Sequence, residues 1–398
     1  MSATAPPMPA VQAVARLRTG AATLALLSLG HFMVDLYSGS LGVLQPFIVG
    51  RLGLTLAQAG VLGGLLVFSS SVTQPLYGFL SDRYRTPLFS GLGPAVAGLF
   101  ILSGALAPAY GWALALMAVG GAGVSAFHPQ ASSWAAAGMA SHRARWMAVF
   151  ISAGTLGIAV APVFFKEFIA RFGIGRLVWA AAPGVVVSAA CLVLVRAPVD
   201  GQGGRRGFDL RPLRTVWRTL AVLYFGVFFR SAVQVAFAQF LVLYLSRERG
   251  FSLHGAAYVL TAYLTAGALG GVVGGQLSAW FGPKRVIAHS FLWSAPLMSV
   301  FFLTRAPWGV AFLVAGGLVL LFTIPVNVTV AQRLVPEQAA TVSALLMGFA
   351  WGAAGIVFVP LTGWLADRTS LHAALAALLV FPVLGWLLSR RLPEDLAE

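Results

Sequence analysis

Asp35 is the only carboxylate set deep in an apolar stretch of this 398-residue chain; the other acidic residues fall in polar segments or at the ends of apolar ones. An ionised carboxylate in hydrocarbon is costly and needs a cation, a proton or a water-filled cavity, which makes it a functional candidate. His31, Asp35, Ser38, Gly42 and Gln45 step by four, three, four and three residues, so on a helix they form one face that is polar apart from the glycine. Such a face either lines a cavity or bonds neighbouring helices, and both readings stand. The chemistry on offer is proton carriage, since the carboxylate can alternate between charged and neutral and an imidazole titrates near neutrality.

Three further polar groups lie in apolar runs. Arg230 is the deep cation, with Gln234 one helical turn away. His128 has Ser125 and Ser132 on its own face and Pro129 beside it. Proline removes a backbone donor and can kink the helix, so His128 is either a proton or substrate group or a ring that satisfies a freed carbonyl. Asn327, two residues after Pro325, is its approximate counterpart later in the chain. Two lysines against 24 arginines and a single cysteine, Cys191, complete the inventory. One thiol permits neither a disulfide framework nor a cysteine metal site, and no metal or other cofactor is expected. The chain has no His-Glu-x-x-His and no Gly-x4-Gly-Lys-Ser/Thr, which argues against an enzyme and against ATP-driven transport by this chain alone.

The elements that must position these groups are membrane helices. The chain is 59% hydrophobic and 9% charged, with a mean hydropathy of +0.87, far from the roughly one-quarter charged residues of soluble domains. Apolar runs long enough to span a bilayer cover about 21–49, 57–80, 87–108, 112–137, 145–169, 177–195, 217–245, 254–280, 286–304, 308–332, 339–365 and 371–389. The net charge of +15 invites a nucleic-acid partner, but roughly two-thirds of the 26 Lys and Arg residues fall on the side of the termini, the positive-inside bias. Both termini are therefore expected in the cytoplasm of a multi-pass inner or plasma membrane protein, with the bilayer and no nucleic acid as partner. Residues 1–15, rich in Ala and Pro, read as disordered.

The chain is also written twice. Gly78-Phe-Leu-Ser-Asp-Arg-Tyr-Arg85 has an eroded copy from Gly275 to Arg285, and Gly154, Gly157 and Pro162 return as Gly352, Gly355 and Pro360. The polar stretch 197–216 falls between the sixth and seventh spans. We therefore expect an all-α membrane protein with a six-helix bundle in 1–196, a linker in 197–216 and a second bundle of the same orientation in 217–398.

Six plus six spans, a basic central loop and Gly-x-x-x-Asp-Arg after the second span resemble the major facilitator superfamily. His31-Phe-Met-Val-Asp35 and Ser125-Ala-Phe-His-Pro-Gln-Ala-Ser132 are similar to its fosmidomycin-resistance exporters. The resemblance implies a secondary transporter that moves a small molecule by alternating access, here as proton-coupled efflux, with an uptake carrier or uniporter of the same fold as the alternative. It implies a gating role for Gly78, Asp82 and Arg83, with Asp82 facing positive helix ends or basic groups of the other half. It also sets spans 1 and 7 across the cavity, where Asp35 and Arg230 differ in depth by about two residues, ~3 Å. Contact between them in some state stands beside separate polar partners for each. Proton coupling is assigned to Asp35, His128 and Arg230, and substrate binding to His31, Asp35, Gln45, His128, Arg230, Gln234 and Asn327. A monomer is expected. Departures are Ala279-Trp280 in place of the second Asp-Arg pair, and Ala161 and Phe165-Lys166 where proton antiporters carry glycines after Gly157.

Overall fold

A computed structural model describes residues 10–84, 86–135, 143–197 and 211–394. Among these there is no strand. Among the described residues twelve helices are long and apolar enough to cross a membrane. Spans 1 to 6 are Gly20–Leu52, Leu56–Ser81, Leu88–Ala105, Tyr110–Ala135, Trp146–Phe172 and Ile174–Leu194. Spans 7 to 12 are Trp217–Glu248, Leu253–Phe281, Pro283–Leu303, Gly309–Leu334, Ala344–Arg368 and Leu371–Ser389. The first helix starts at Ala10, so residues 10–15 are helical, contrary to the disorder expected there. Arg85, the side chain of Asp82 and residues 198–210 of the expected linker lie outside the described part.

Several spans are broken, and mostly for a stated reason. A proline cannot donate to the carbonyl four residues earlier and crowds it. Span 2 opens at Val72–Thr73 before Pro75, span 10 at Leu321–Phe322 before Pro325, and span 12 at Leu378–Leu379 before Pro382. The hydroxyl-rich stretch of span 2 follows from the first of these. Ser69, Ser70, Thr73 and Gln74 each bond a carbonyl three or four residues back, and the Thr73 hydroxyl also meets Ser125 Oγ of span 4 at 2.8 Å. Span 1 breaks at Gly39–Ser40, where Ser40 Oγ donates to Tyr37 O at 2.6 Å and Gly39 lies against Ala161 of span 5.

Each half has its own apolar core. One gathers buried residues from Leu24 to Val195, the other from Leu220 to Leu392. Large side chains left on the outside are apolar, such as Trp179, Val193, Trp293 and Leu303, as a lipid-facing surface requires. The cores trade residues at one seam: Val49, Ala59 and Val67 pack into the second core and Ala257 into the first. This seam runs along span 2 against span 11 and span 5 against span 8. It is lined by glycine. A Cβ at Gly60 would lie 2.6 Å from Val359 O, one at Gly64 2.9 Å from Gly355 O, and Gly363 and Gly42 sit directly on Leu56 and Ala238 carbonyls. No side chain fits there, so backbones touch. Every one of these contacts belongs to the end of the bundle away from the termini or to its middle.

Candidate functional site

Span 1 carries His31 and Asp35 one turn apart, just before the break at Gly39. The Asp35 Oδ2 lies 3.3 Å from His31 Nε2, and its Oδ1 lies 3.4 Å from His128 Nε2 on span 4. Both rings are held from behind. His31 Nδ1 is 2.8 Å from Phe150 O, and its ring stacks on the Phe150 ring at 4.3 Å. His128 Nδ1 is 2.7 Å from Val124 O, one turn back on its own helix. One nitrogen thus bonds a backbone carbonyl, that of Val124 and not the Ser125 carbonyl freed by Pro129, and the other faces the Asp35 carboxylate. Asp35 and His31 are 8% and 7% exposed, and His128 is the more open member. Gly154 of span 5 forms the floor, since a Cβ there would come 2.5 Å from Asp35 Oδ2. The ligand atoms of His31, Asp35 and His128 lie within 4.8 Å of one another, the one such cluster among the described residues with spacing compact enough for a metal ion. The same compactness arises when protons are shared.

A second polar group lies in the other half. Arg230 is 4% exposed; its Nη2 donates to Ser231 Oγ at 3.0 Å, and its guanidinium sits 5.8 Å from the Trp351 ring centre. Its Nε and Nη1, together with Gln234 Oε1, Tyr263 Oη and both side-chain atoms of Asn327, are buried without a hydrogen-bond partner among the described residues. Arg230 and Asp35 are not in contact here, so of the two sequence readings this structure has each with separate partners. Gln45 joins neither group. It lies beyond the break, fully buried in the seam, donating to Gln239 Oε1 of span 7 and to Ala59 O, both at 3.3 Å. The structure therefore unites His31, Asp35 and His128, and keeps Arg230, Gln234, Asn327 and Gln45 apart from them. Of the gating candidates, Gly78 faces Pro129 of span 4, with 3.5 Å between its would-be Cβ and that ring, and Arg83 lies over Tyr84.

Two contacts escaped the sequence reading. The Asp367 carboxylate at the end of span 11 accepts from the Leu56 and Ala57 amides, each at 2.8 Å, capping the N-terminus of span 2 in the other half. At the matching place in the repeat, Lys166 of span 5 meets Glu167 and His254 at the start of span 8. Lys166 is 9% exposed, and beside its pair with Glu167 it makes a partly buried bond across the halves to His254. Its signal was a lysine just inside an apolar span with no acid on its own face.

A model of the Major Facilitator Superfamily matches residues 27–345 and 223–397. The chain belongs to this superfamily. Among curated major facilitator proteins it is similar to the fosmidomycin resistance protein of Escherichia coli (strain K12), 28% identical and covering 96% of each chain. An uncharacterized MFS-type transporter, YfnC of Bacillus subtilis (strain 168), is also 28% identical, over 94% of this chain and 93% of that one. Solved structures share the major facilitator fold. A bacterial homolog of the human lysosomal transporter Spinster superposes with a TM-score of 0.80 at 19% identity, covering 94% and 97% of the two chains. The nucleoside transporter NupG does so with 0.75 at 13% identity, covering 93% and 98%. The expected fold class, and a role in membrane transport of small molecules without enzymatic chemistry, hold. As a major facilitator protein the chain is a multi-pass integral membrane protein.

Proposed function

We propose that this transporter exports a small organic molecule against an inward flow of protons, by alternating access, with His31, Asp35 and His128 as the proton site. The observation that carries the reading is Asp35, the sole deep acid, clamped between two imidazoles beside a helix break. A carboxylate so placed exchanges protons with whichever side is open, and the break at Gly39–Ser40 lets the outer piece of span 1 move with the seam while the triad stays in the first half. Arg230 and Gln234 supply the unpaired polar groups that a substrate would meet in the second half, whereas Asn327 is packed among Leu223, Phe291 and Ser389 of that half. With both termini cytoplasmic, the closed seam is the outer gate, and Gly78, Asp82 and Arg83 belong to the inner gate that closes in the opposite state. Export, rather than uptake, is favoured by the name of the Escherichia coli relative. The protein is placed in the cell membrane as a monomer.

The test is transport in everted membrane vesicles, with fosmidomycin as the first compound and a panel of drugs and metabolites behind it. Accumulation that collapses when the proton gradient is dissipated supports the reading. Substrate movement indifferent to the gradient would leave a uniporter, and inward accumulation in intact cells would reverse the direction.

A further inference from the structure

The triad can be read for how many protons it holds. A backbone carbonyl only accepts, so the bonds from His31 Nδ1 to Phe150 O and from His128 Nδ1 to Val124 O fix a hydrogen on both Nδ1 atoms. In a neutral imidazole the other nitrogen is then an acceptor. Each Nε2 nevertheless faces an Asp35 oxygen, at 3.3 Å and 3.4 Å, and a carboxylate oxygen is also an acceptor. With no extra proton both contacts set lone pair against lone pair. One proton, on the acid or on either ring, bridges one contact and leaves the other repulsive. Two protons bridge both.

We infer that the His31–Asp35–His128 cluster takes up and releases two protons together, as a single two-proton site. This rests on the proposed proton coupling and gives its stoichiometry. Both protons come from water on the open side, and the triad passes from a net charge of −1 to +1 without any bond between heavy atoms changing. The neighbours leave this balance to the three residues. Span 1 adds Tyr37, which donates to Ala180 O, span 2 adds Tyr77, packed on Phe89, span 3 carries no titratable side chain, span 4 adds Tyr110 at its far end, and span 6 adds Arg176 at its start and Cys191, which reaches Leu26 O. On the helix of span 5, Lys166, Glu167 and Arg171 lie toward one end and Arg143 and Arg145 at the other. Arg230 of span 7 bonds Ser231 and faces Trp351. Gly154, with no side chain, keeps span 5 from inserting a competing partner. For an uncharged substrate a two-proton exchange multiplies the attainable gradient about 100-fold per pH unit, against about tenfold for one proton.

The experiment is 15N nuclear magnetic resonance of histidine-labelled, full-length protein in lipid bilayers, which needs no substrate. The chain has six histidines, and replacing the four outside the triad with Gln leaves two rings to read. At about pH 7, near the ordinary imidazole range, both rings are expected to carry hydrogen on both nitrogens, and to lose the extra ones in one joint step as the pH rises. Asp35→Asn, whose amide N–H serves one ring itself, is expected to retain at most one. A wild-type spectrum with one ring charged and one neutral at that pH overturns the inference, as does a spectrum altered by a metal chelator, which would put a cation in the protons' place. Two protons found together with gradient-independent transport would instead sink the proposed coupling and leave the site intact.

Discussion

Removing the Asp367 carboxylate should shift this transporter away from the state in which the end opposite the termini is closed. The two bonds to the Leu56 and Ala57 amides are each 2.8 Å long and join the halves, so they exist only while that end is shut. A hydrogen bond to a charged group contributes about 1.5–3 kcal/mol when sheltered, whereas a carboxylate at an exposed helix N-terminus contributes about 0.3–1 kcal/mol. Asp367 is exposed, which places the pair of bonds at ~1–2 kcal/mol and the population shift at roughly 5- to 30-fold for Asp367→Ala. Asp367→Asn keeps one acceptor and loses the charge, so its effect should fall between wild type and Ala. The assay is electron paramagnetic resonance distance measurement between labels at Arg176→Cys and Arg305→Cys, both exposed at that end, with the buried Cys191 replaced by Ser. An Asp367→Ala protein that binds its compound normally and shows the wild-type distance distribution would falsify the latch.

Other perturbations follow from the same contacts. Asp35→Asn should abolish gradient-driven accumulation while leaving substrate exchange, because the amide resembles the neutral acid; full coupling in vesicle transport would move the proton site elsewhere. Gly154→Ala should lower coupled transport at least tenfold without loss of membrane expression, since its methyl enters the space between Asp35 and His31; wild-type gradient-driven accumulation would refute that packing. Gln45→Ala leaves the Gln239 amide buried without its partner and should cost about 1–3 kcal/mol of the closed seam, read as faster labelling of cysteines placed along it. The Lys284–Glu394 bond, 2.7 Å, holds the Glu394 carboxyl below its ordinary range through the ammonium beside it. A lowered value means the tether is present above the ordinary carboxylate range and lost as pH falls through the lowered one, so a spin label near residue 394 should gain mobility only in acid.

The spans and the repeat were legible because bilayer length and hydropathy act on each segment alone. The pairing of His31 with Asp35 was legible too, being a matter of helical spacing. That His128 closes the same cluster depends on how spans 1 and 4 cross, which no local pattern encodes. Gln45 shows the limit more clearly: its spacing put it on the face of Asp35, but the break at Gly39–Ser40 ends that face and hands Gln45 to the seam, where Gln239 meets it. A glycine and a serine in an apolar run give little notice of a break, unlike the prolines of spans 2, 10 and 12. Asp367 was passed over because an acid at a helix end is ordinarily solvated, and its partners are backbone amides with no residue type to betray them.

The glycine seam has a consequence for how such a gate ages under mutation. Glycine offers almost no apolar area, and burial gains come at about 25 cal/mol per Å² of it, so the closed surfaces seal by shape with little adhesion. Water can rehydrate parted carbonyls at little loss, and the barrier to opening is set by a few directional bonds rather than by a torn hydrophobic patch. The seal is therefore brittle toward substitution in one direction only. Any side chain added at Gly42, Gly60, Gly64 or Gly363 acts as a wedge, biasing the protein toward a leak, while loss of a polar bond merely loosens it. Damage at this surface should accordingly show itself as unregulated permeability before it shows as an unfolded protein.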